Sequence, residues 1–349
     1  MADIETIVRV EGRAGRITLN RPRALNALRF EQIAVIRGAL EQWRDDDAVK
    51  LVILDGAGDR GLCAGGDVRE LYHARETDPD FAARFWRDEY HLNAMIHRYP
   101  KPIVALMDGI VMGGGIGLSA HASHRIVTEA SQIAMPETSI GLVPDVGGTW
   151  LLANAPGRLG TFVGLTGTRM AAADAIYAGF ADTHVKRADI DALIAELIDV
   201  SGEPVGVTVA EYASAPGPAV LANQQSDMDH LCDARSAADI QVRLTASDAP
   251  DWAQAAGRSL EDRSPLALAL FLEAVRRAAD AADLEAALAT EYRLVTRLDD
   301  QGEFPEGVRA LIIDKDRAPK WRYAALDDVP DQTIADFFAP LADRAELWA

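Results

Sequence analysis

The chain has 349 residues, 49% apolar and 26% charged, a composition that excludes disorder as its ground state and leaves room for one large core plus an appendage, or for two domains. Its formal net charge of −19 disfavours nucleic acids and anionic membranes as partners, both being polyanions, and an anionic ligand would need local basic groups or helix N-termini. No run of about 18 apolar residues occurs, "MADIETIVRV" lacks the pattern of a signal or transit peptide, so a cytosolic protein is expected, and the two cysteines, Cys63 and Cys232, offer neither a disulfide framework nor, without a Cys/His cluster at ligand spacing, a structural metal site.

In chain order, "TIVRVEG" and "GRITLN" alternate apolar and polar residues around Gly12 and Gly15 and predict a hairpin. After the turn "NRPRALNAL", residues Phe30 to Arg44 have helical periodicity, and "VKLVILDG" reads as a fully buried strand. A Gly-rich loop, "GAGDRGLCAGG", leads into the helix "DVRELYHARE", and a second helix around "FWRDEYHLNAMIHRY" stops before Pro100. The strand "KPIVALMDG", the small-residue helix "GGGIGLSAHA" and the strand "HRIVTEAS" follow, with "DTHVKR" as the last extended piece. This alternation predicts an α/β core over about the first 190 residues. Beyond Ile190 the pattern is helical, and the stretch from Ser264 to Leu298 predicts one or two amphipathic helices with Ser264 and Pro265 marking the start.

Two glycine clusters, "CAGGDV" at 63–68 and "GIVMGGGIGLS" at 109–119, each follow a predicted strand and precede a predicted helix. Each presents unpaired backbone N–H groups where an anion is stabilised, so the two corners together would form an oxyanion hole. For either cluster alone, tight turns and close helix–strand approach are the simpler account. Neither fits a dinucleotide fingerprint, and no P-loop is present.

The segment "MPETSIGLVPDVGG" places Glu137 and Asp145 around an apolar stretch unsuited to a solvent-facing loop. A carboxyl in such surroundings has a raised pKa or is held by hydrogen bonds, and either suits a general acid, base or nucleophile. A lone Glu before a loop is more often a cap or a solvated turn, and Asp145 as the cap of a helix starting in "VGGTW" is the competing account. His121 and His124 fit structural roles, Ser119 is not in a nucleophile elbow, and Glu89 and Tyr90 in "RDEYHLN" read equally as helix surface.

Taken together, "LNRPRALNAL", "CAGGDVREL", "KPIVALMDGIVMGGGIGLS" and "MPETSIGLVPDVGGTWLL" resemble, in order and spacing, the crotonase (enoyl-CoA hydratase/isomerase) superfamily. "GGDVREL", "RDEYHLN" and the C-terminal "MDHL", "SPLALAL", "EYRL" and "EGVRALIIDKDRAPKW" are similar to its branch of short 3-hydroxyacyl-CoA hydrolases. The resemblance implies an α/β fold with a crotonase-like ββα spiral core over residues 1–200 and a helical region over 201–349 that completes or covers the active site. It also implies that the amides of Gly66 and Gly114 hold a thioester carbonyl. Glu137 is then the catalytic nucleophile or base, Asp145 the second catalytic carboxylate, orienting the substrate hydroxyl or the water, and Glu89 a substrate-binding residue. Arg23, with the backbone near Ala24 and Leu25, would meet coenzyme A, Arg21 and Lys101 being weaker choices.

Hydratases of the superfamily use two glutamates; here the first position is Gly117, and Asp145 stands where typical hydratases have glycine. The implied reaction is therefore thioester hydrolysis, with 3-hydroxyisobutyryl-CoA of valine breakdown as the favoured substrate. An enoyl-CoA hydratase or isomerase and a non-catalytic acyl-CoA-binding protein are the alternatives, and a dehalogenase-like branch would need an aromatic acyl pocket that the sequence does not display. No metal or cofactor is implied, coenzyme A being part of the substrate. Relatives are often trimers or hexamers, so a homo-oligomer is one candidate state, left open by an extended C-terminus that bears on that packing.

Overall fold

The alternating run at the start forms the expected antiparallel hairpin, β1 (Thr6–Glu11) and β2 (Ala14–Leu19), with Thr6 opposite Leu19. The computed structural model describes residues 4–199 and 204–349. They group into two compact units interleaved in sequence. Met1–Asp67, Asp88–Ile133 and Met170–Ala222 make the first, and Val68–Arg87, Ala134–Arg169 and Asn223–Ala349 the second.

In the first unit, α1 (Phe30–Arg44) connects the hairpin to β3 (Leu51–Gly56), which pairs with β2 in parallel. The helix begins where predicted because the Gln32 side chain accepts from Arg29 N at 3.0 Å, one arm of a capping box. It buries Ile33, Ile36, Leu40 and Trp43 along one stripe, as helical periodicity requires. In the second unit lies α2 (Val68–Ala74), and α3 (Phe81–His97) runs on from there into the first unit. The sheet continues with β4 (Ile103–Met107), then departs briefly from the expected order. Two strands of three residues, β5 (Ile110–Met112) and β7 (Gln132–Ala134), pair as a separate small sheet; so short a run carries no readable period.

Helix α4 (Gly114–Ser119), strand β6 (His124–Val127) and strand β8 (Thr183–His184) complete the α/β pattern. The main sheet has six strands in the order β1-β2-β3-β4-β6-β8, with every pair after the hairpin parallel. Parallel strands covered on both faces must be apolar throughout, and β4 is buried from end to end. Leu51, Ile53, Val104, Leu106 and Ile126 form one core with Leu193, Ile194 and Leu197 of the helix Ile190–Ile198, each such side chain contributing about 1.5–3 kcal/mol on burial.

The second unit is helical apart from loops. The long amphipathic stretch is two helices, Pro265–Ala279 and Leu284–Asp300, each with its own cap. Ser264 Oγ accepts from Ala267 N at 3.0 Å, and Asp283 Oδ1 accepts from Ala286 N at 2.9 Å. Also in this unit are α5 (Gly148–Ala153) and the helix Leu159–Thr166. No helix among the described residues is long and apolar enough to cross a membrane.

Candidate functional site

The first unit brings the two glycine corners together. Cys63 N donates to Ile110 O at 3.2 Å and Met112 N donates to Cys63 O at 3.0 Å, lacing the loop before Gly66 onto β5. Leu28 N donates to Gly65 O at 2.8 Å and Asp67 N to Leu28 O at 2.7 Å, so the Gly66 peptide is fixed from both sides. Gly114 is the first residue of α4, and its N–H has no acceptor within the helix. Gly66 N lies 3.3 Å from the point where a Cβ on Gly114 would stand. That Cβ would also meet Glu89 Oε1 at 2.5 Å, so the carboxylate lies over the corner and would have to move for any side chain at 114. Glu89 is 2% exposed and Tyr90 fully buried, which excludes the helix-surface reading of both.

The second unit brings the two acids together. Glu137 opens a 3-10 turn, Glu137–Ile140, and both it and Asp145 are buried. Burial first, and the charge of Asp145 next, hold the Glu137 carboxyl well above its usual range, against the opposing pull of its own amide and of Arg263. Two carboxyls so placed resist ionising together. Glu137 Oε2 is buried with no hydrogen-bond partner among the described residues. The capping account of Asp145 does not hold, because the cap position of α5 is Gly147; Asp145 instead accepts from Gly148 N through its main-chain carbonyl at 2.6 Å.

Two residues of this region escaped the sequence reading. The carboxylate that caps α5 belongs to Glu291, fully buried in the helix Leu284–Asp300. Its Oε2 accepts from Gly147 N at 2.7 Å, and its Oε1 from Thr149 N at 2.9 Å and from Thr149 Oγ1. Burial pushes its carboxyl up to about 7 in spite of those donors. The available signal was an acid on the apolar stripe of Ala287, Leu288, Leu294 and Val295, where a charge has to be paired or held. Arg263 donates through Nη1 to Thr138 Oγ1 at 2.6 Å and through Nη2 to Thr166 O. Burial lowers it to about 10, with Glu137 acting in the other direction. Within "EDRSPL" it reads as an ordinary polar loop residue.

Of the basic residues considered for coenzyme A, Arg23 is exposed in the turn Pro22–Ala24 and engages in no ion pair among the described residues. Ala24 N and Leu25 N close that turn onto Arg21 O and Pro22 O, at 2.9 and 3.2 Å. The turn adjoins the glycine corner, since Ala64 N donates to Leu25 O at 3.1 Å. Arg21 is held by Asp67 at 2.9 Å and Glu5 at 3.4 Å, and Lys101 Nζ donates to Trp43 O in the last turn of α1 and, at 2.7 Å, to Asp46 O just beyond it. Both therefore already have partners within the protein. His121 stands edge-on to His97 with ring centroids 6.2 Å apart. Cys63 and Cys232 are free and buried, and burial pushes both thiols up to about 12, where a thiolate nucleophile is not formed.

Comparison with known proteins gives a consistent family. Residues 14–338 match the model of the family described as enoyl-CoA hydratase/isomerase. The chain is similar to proteins named 3-hydroxyisobutyryl-CoA hydrolase, mitochondrial. The one from Danio rerio is 38% identical, with 98% of this chain and 91% of that protein aligned. The one from Homo sapiens is 35% identical over 97% and 89%. The word mitochondrial in those names contrasts with the cytosolic expectation. Among solved structures, the chain resembles a carnitinyl-CoA dehydratase from Mycobacterium thermoresistibile (45% identity, TM-score 0.93, 99% and 98% of the two chains covered). It also resembles an enoyl-CoA hydratase from Rhodobacter sphaeroides 2.4.1 (47%, TM-score 0.90, 97% and 98%). With the model matched over nearly its whole length and the α/β core and helical C-terminal region in place, the chain belongs to the enoyl-CoA hydratase/isomerase family.

Proposed function

We propose that this chain hydrolyses a short 3-hydroxyacyl-CoA thioester, with 3-hydroxyisobutyryl-CoA of valine breakdown as the favoured substrate. What carries the reading is the buried acid pair, Glu137 beside Asp145, in a chain whose position 117 is a buried glycine inside α4. Addition of water to a double bond, as the family's two-glutamate hydratases perform it, lacks its first acid here. The names of the curated relatives support the same reading.

In this mechanism the amides of Gly66 and Gly114 receive the negative charge that grows on the thioester oxygen, at roughly 3–4 kcal/mol per donor. Glu137 acts in one of two ways. As nucleophile its carboxylate bonds to the carbonyl carbon, coenzyme A leaves as thiolate and takes up a proton, and water cleaves the resulting mixed anhydride. As base it takes a proton from water while that water attacks. Either route consumes one water and yields the hydroxy acid and the free thiol, with no redox partner or metal in the balance. Asp145 orients the water or the substrate hydroxyl, Glu89 helps bind the substrate, and Arg23 meets the phosphates of coenzyme A. Self-association of the chain belongs to the same reading.

A second reading, hydration of an enoyl-CoA, is favoured by the names of the two solved structures. The discriminating experiment gives purified protein a panel of short acyl-CoA thioesters and measures free thiol beside hydration of crotonyl-CoA. Thiol release from 3-hydroxyisobutyryl-CoA, with negligible hydration, is the expected result. Rapid hydration without thiol release would replace the hydrolase by a hydratase, and tight binding without either would make the protein a carrier.

A further inference from the structure

We propose that Glu291 is a positioning residue for the hydrolysis: it fixes the turn Val146–Thr149, and with it the carboxylate of Asp145, and its own charge tunes Glu137. The inference rests on the hydrolase reading above.

Two observations and one physical argument converge on it. All the donors that Glu291 receives, the Gly147 and Thr149 amides and the Thr149 hydroxyl, come from one turn directly after Asp145. That turn needs holding, because Val146 has φ +54°, a left-handed conformation that a β-branched side chain adopts only when its surroundings impose it. Finally, a neutral cap would satisfy the same amides at a smaller desolvation cost. A carboxylate in this place also adds its charge to that of the neighbouring acids. The groups acting on Glu291 are Asp145 and the donors of Gly147 and Thr149, and those acting on Glu137 are Asp145, Arg263 and Glu291 itself. Negative charge on Glu291 raises the Glu137 carboxyl, which keeps the acid pair protonated to higher pH.

The test is Glu291→Gln in the full chain, with folding verified by thermal melting and kcat and KM for 3-hydroxyisobutyryl-CoA followed by thiol release across pH. We expect kcat to fall roughly 10- to 100-fold, the scale of a misplaced catalytic group, with KM within about 3-fold. The acid limb of kcat/KM, which reports ionisation of Glu137, should move to lower pH because a neighbouring negative charge has been removed. Thr149→Ser, which keeps the hydroxyl donor, should retain the wild-type profile. A folded Glu291→Gln protein with wild-type kcat, or with reduced kcat and an unmoved acid limb, overturns the proposal; the second result leaves Glu291 as a fold-supporting cap. If Glu291→Gln does not fold, Thr149→Val serves: losing a donor leaves Glu291 more protonated, so the acid limb should move in the same direction by less, and an unmoved limb overturns the proposal. Wild-type protein that releases no thiol removes the hydrolase reading and this inference together, whereas wild-type turnover with an unchanged variant removes the inference alone.

Discussion

The corner around Gly66 and Gly114 is main chain almost throughout, while the segment around Glu137 and Asp145 is made of side chains and held by side chains. In the first, glycine is the device: position 114 has Glu89 Oε1 2.5 Å from its would-be Cβ, and Gly65 sits at φ +114°. In the second, the devices are Glu291, reaching back 144 residues to Gly147, and Arg263, 125 residues from Thr138. An amide donor is oriented by the local backbone and keeps its polarity at any pH. A carboxyl acquires its character from desolvation and neighbouring charge, which the whole second unit supplies.

That contrast is open to direct attack. Glu137→Gln and Asp145→Asn should each lower thioester hydrolysis by a factor of about 100 or more while coenzyme A binding stays near normal, as for groups acting mainly in the transition state. Thiol release and equilibrium binding measure the two sides, and full activity in both variants would remove the side-chain half of the comparison. Gly114→Ala should reduce kcat by a factor of about 100, the scale of one lost oxyanion donor, because the new methyl displaces Glu89 and crowds the corner. Wild-type kcat in that variant would mean that the main-chain corner has no part in the chemistry. The smallest effect concerns binding alone. Arg23→Ala should raise KM by about 10-fold with kcat unchanged, while Arg21→Ala, which removes the ion pair to Asp67, should lower the melting temperature and leave KM in place.

Much of this was legible in the sequence, and the reasons differ by element. The bounds of α1 coincide with the predicted Phe30 to Arg44, because its apolar stripe and its capping residues lie within one stretch of chain. Strands β3 and β4 announced themselves as apolar runs, whereas β5 and β7, with three residues each, are defined by partners rather than by pattern. Both glycine corners could be located because glycine leaves a mark wherever backbones approach closely. Glu137 and Asp145 could be located through the apolar residues between them. Glu291 and Arg263 could not, since what they hold lies 97 to 144 positions away in sequence and only folding discloses the partner. What distinguishes Arg21, Arg23 and Lys101 was likewise hidden in contacts: two of the three are tied to the protein's own carboxylates and carbonyls.

The inert cysteines have a practical consequence. Cys63 and Cys232 are 0% and 2% exposed, and their sulfur protons are held far above neutrality. A colorimetric sulfhydryl reagent added to the native enzyme therefore finds no competing target, and each unit of colour counts one molecule of liberated coenzyme A. Colour that develops without substrate is a readout of denaturation, which gives every kinetic trace its own internal gauge of intactness.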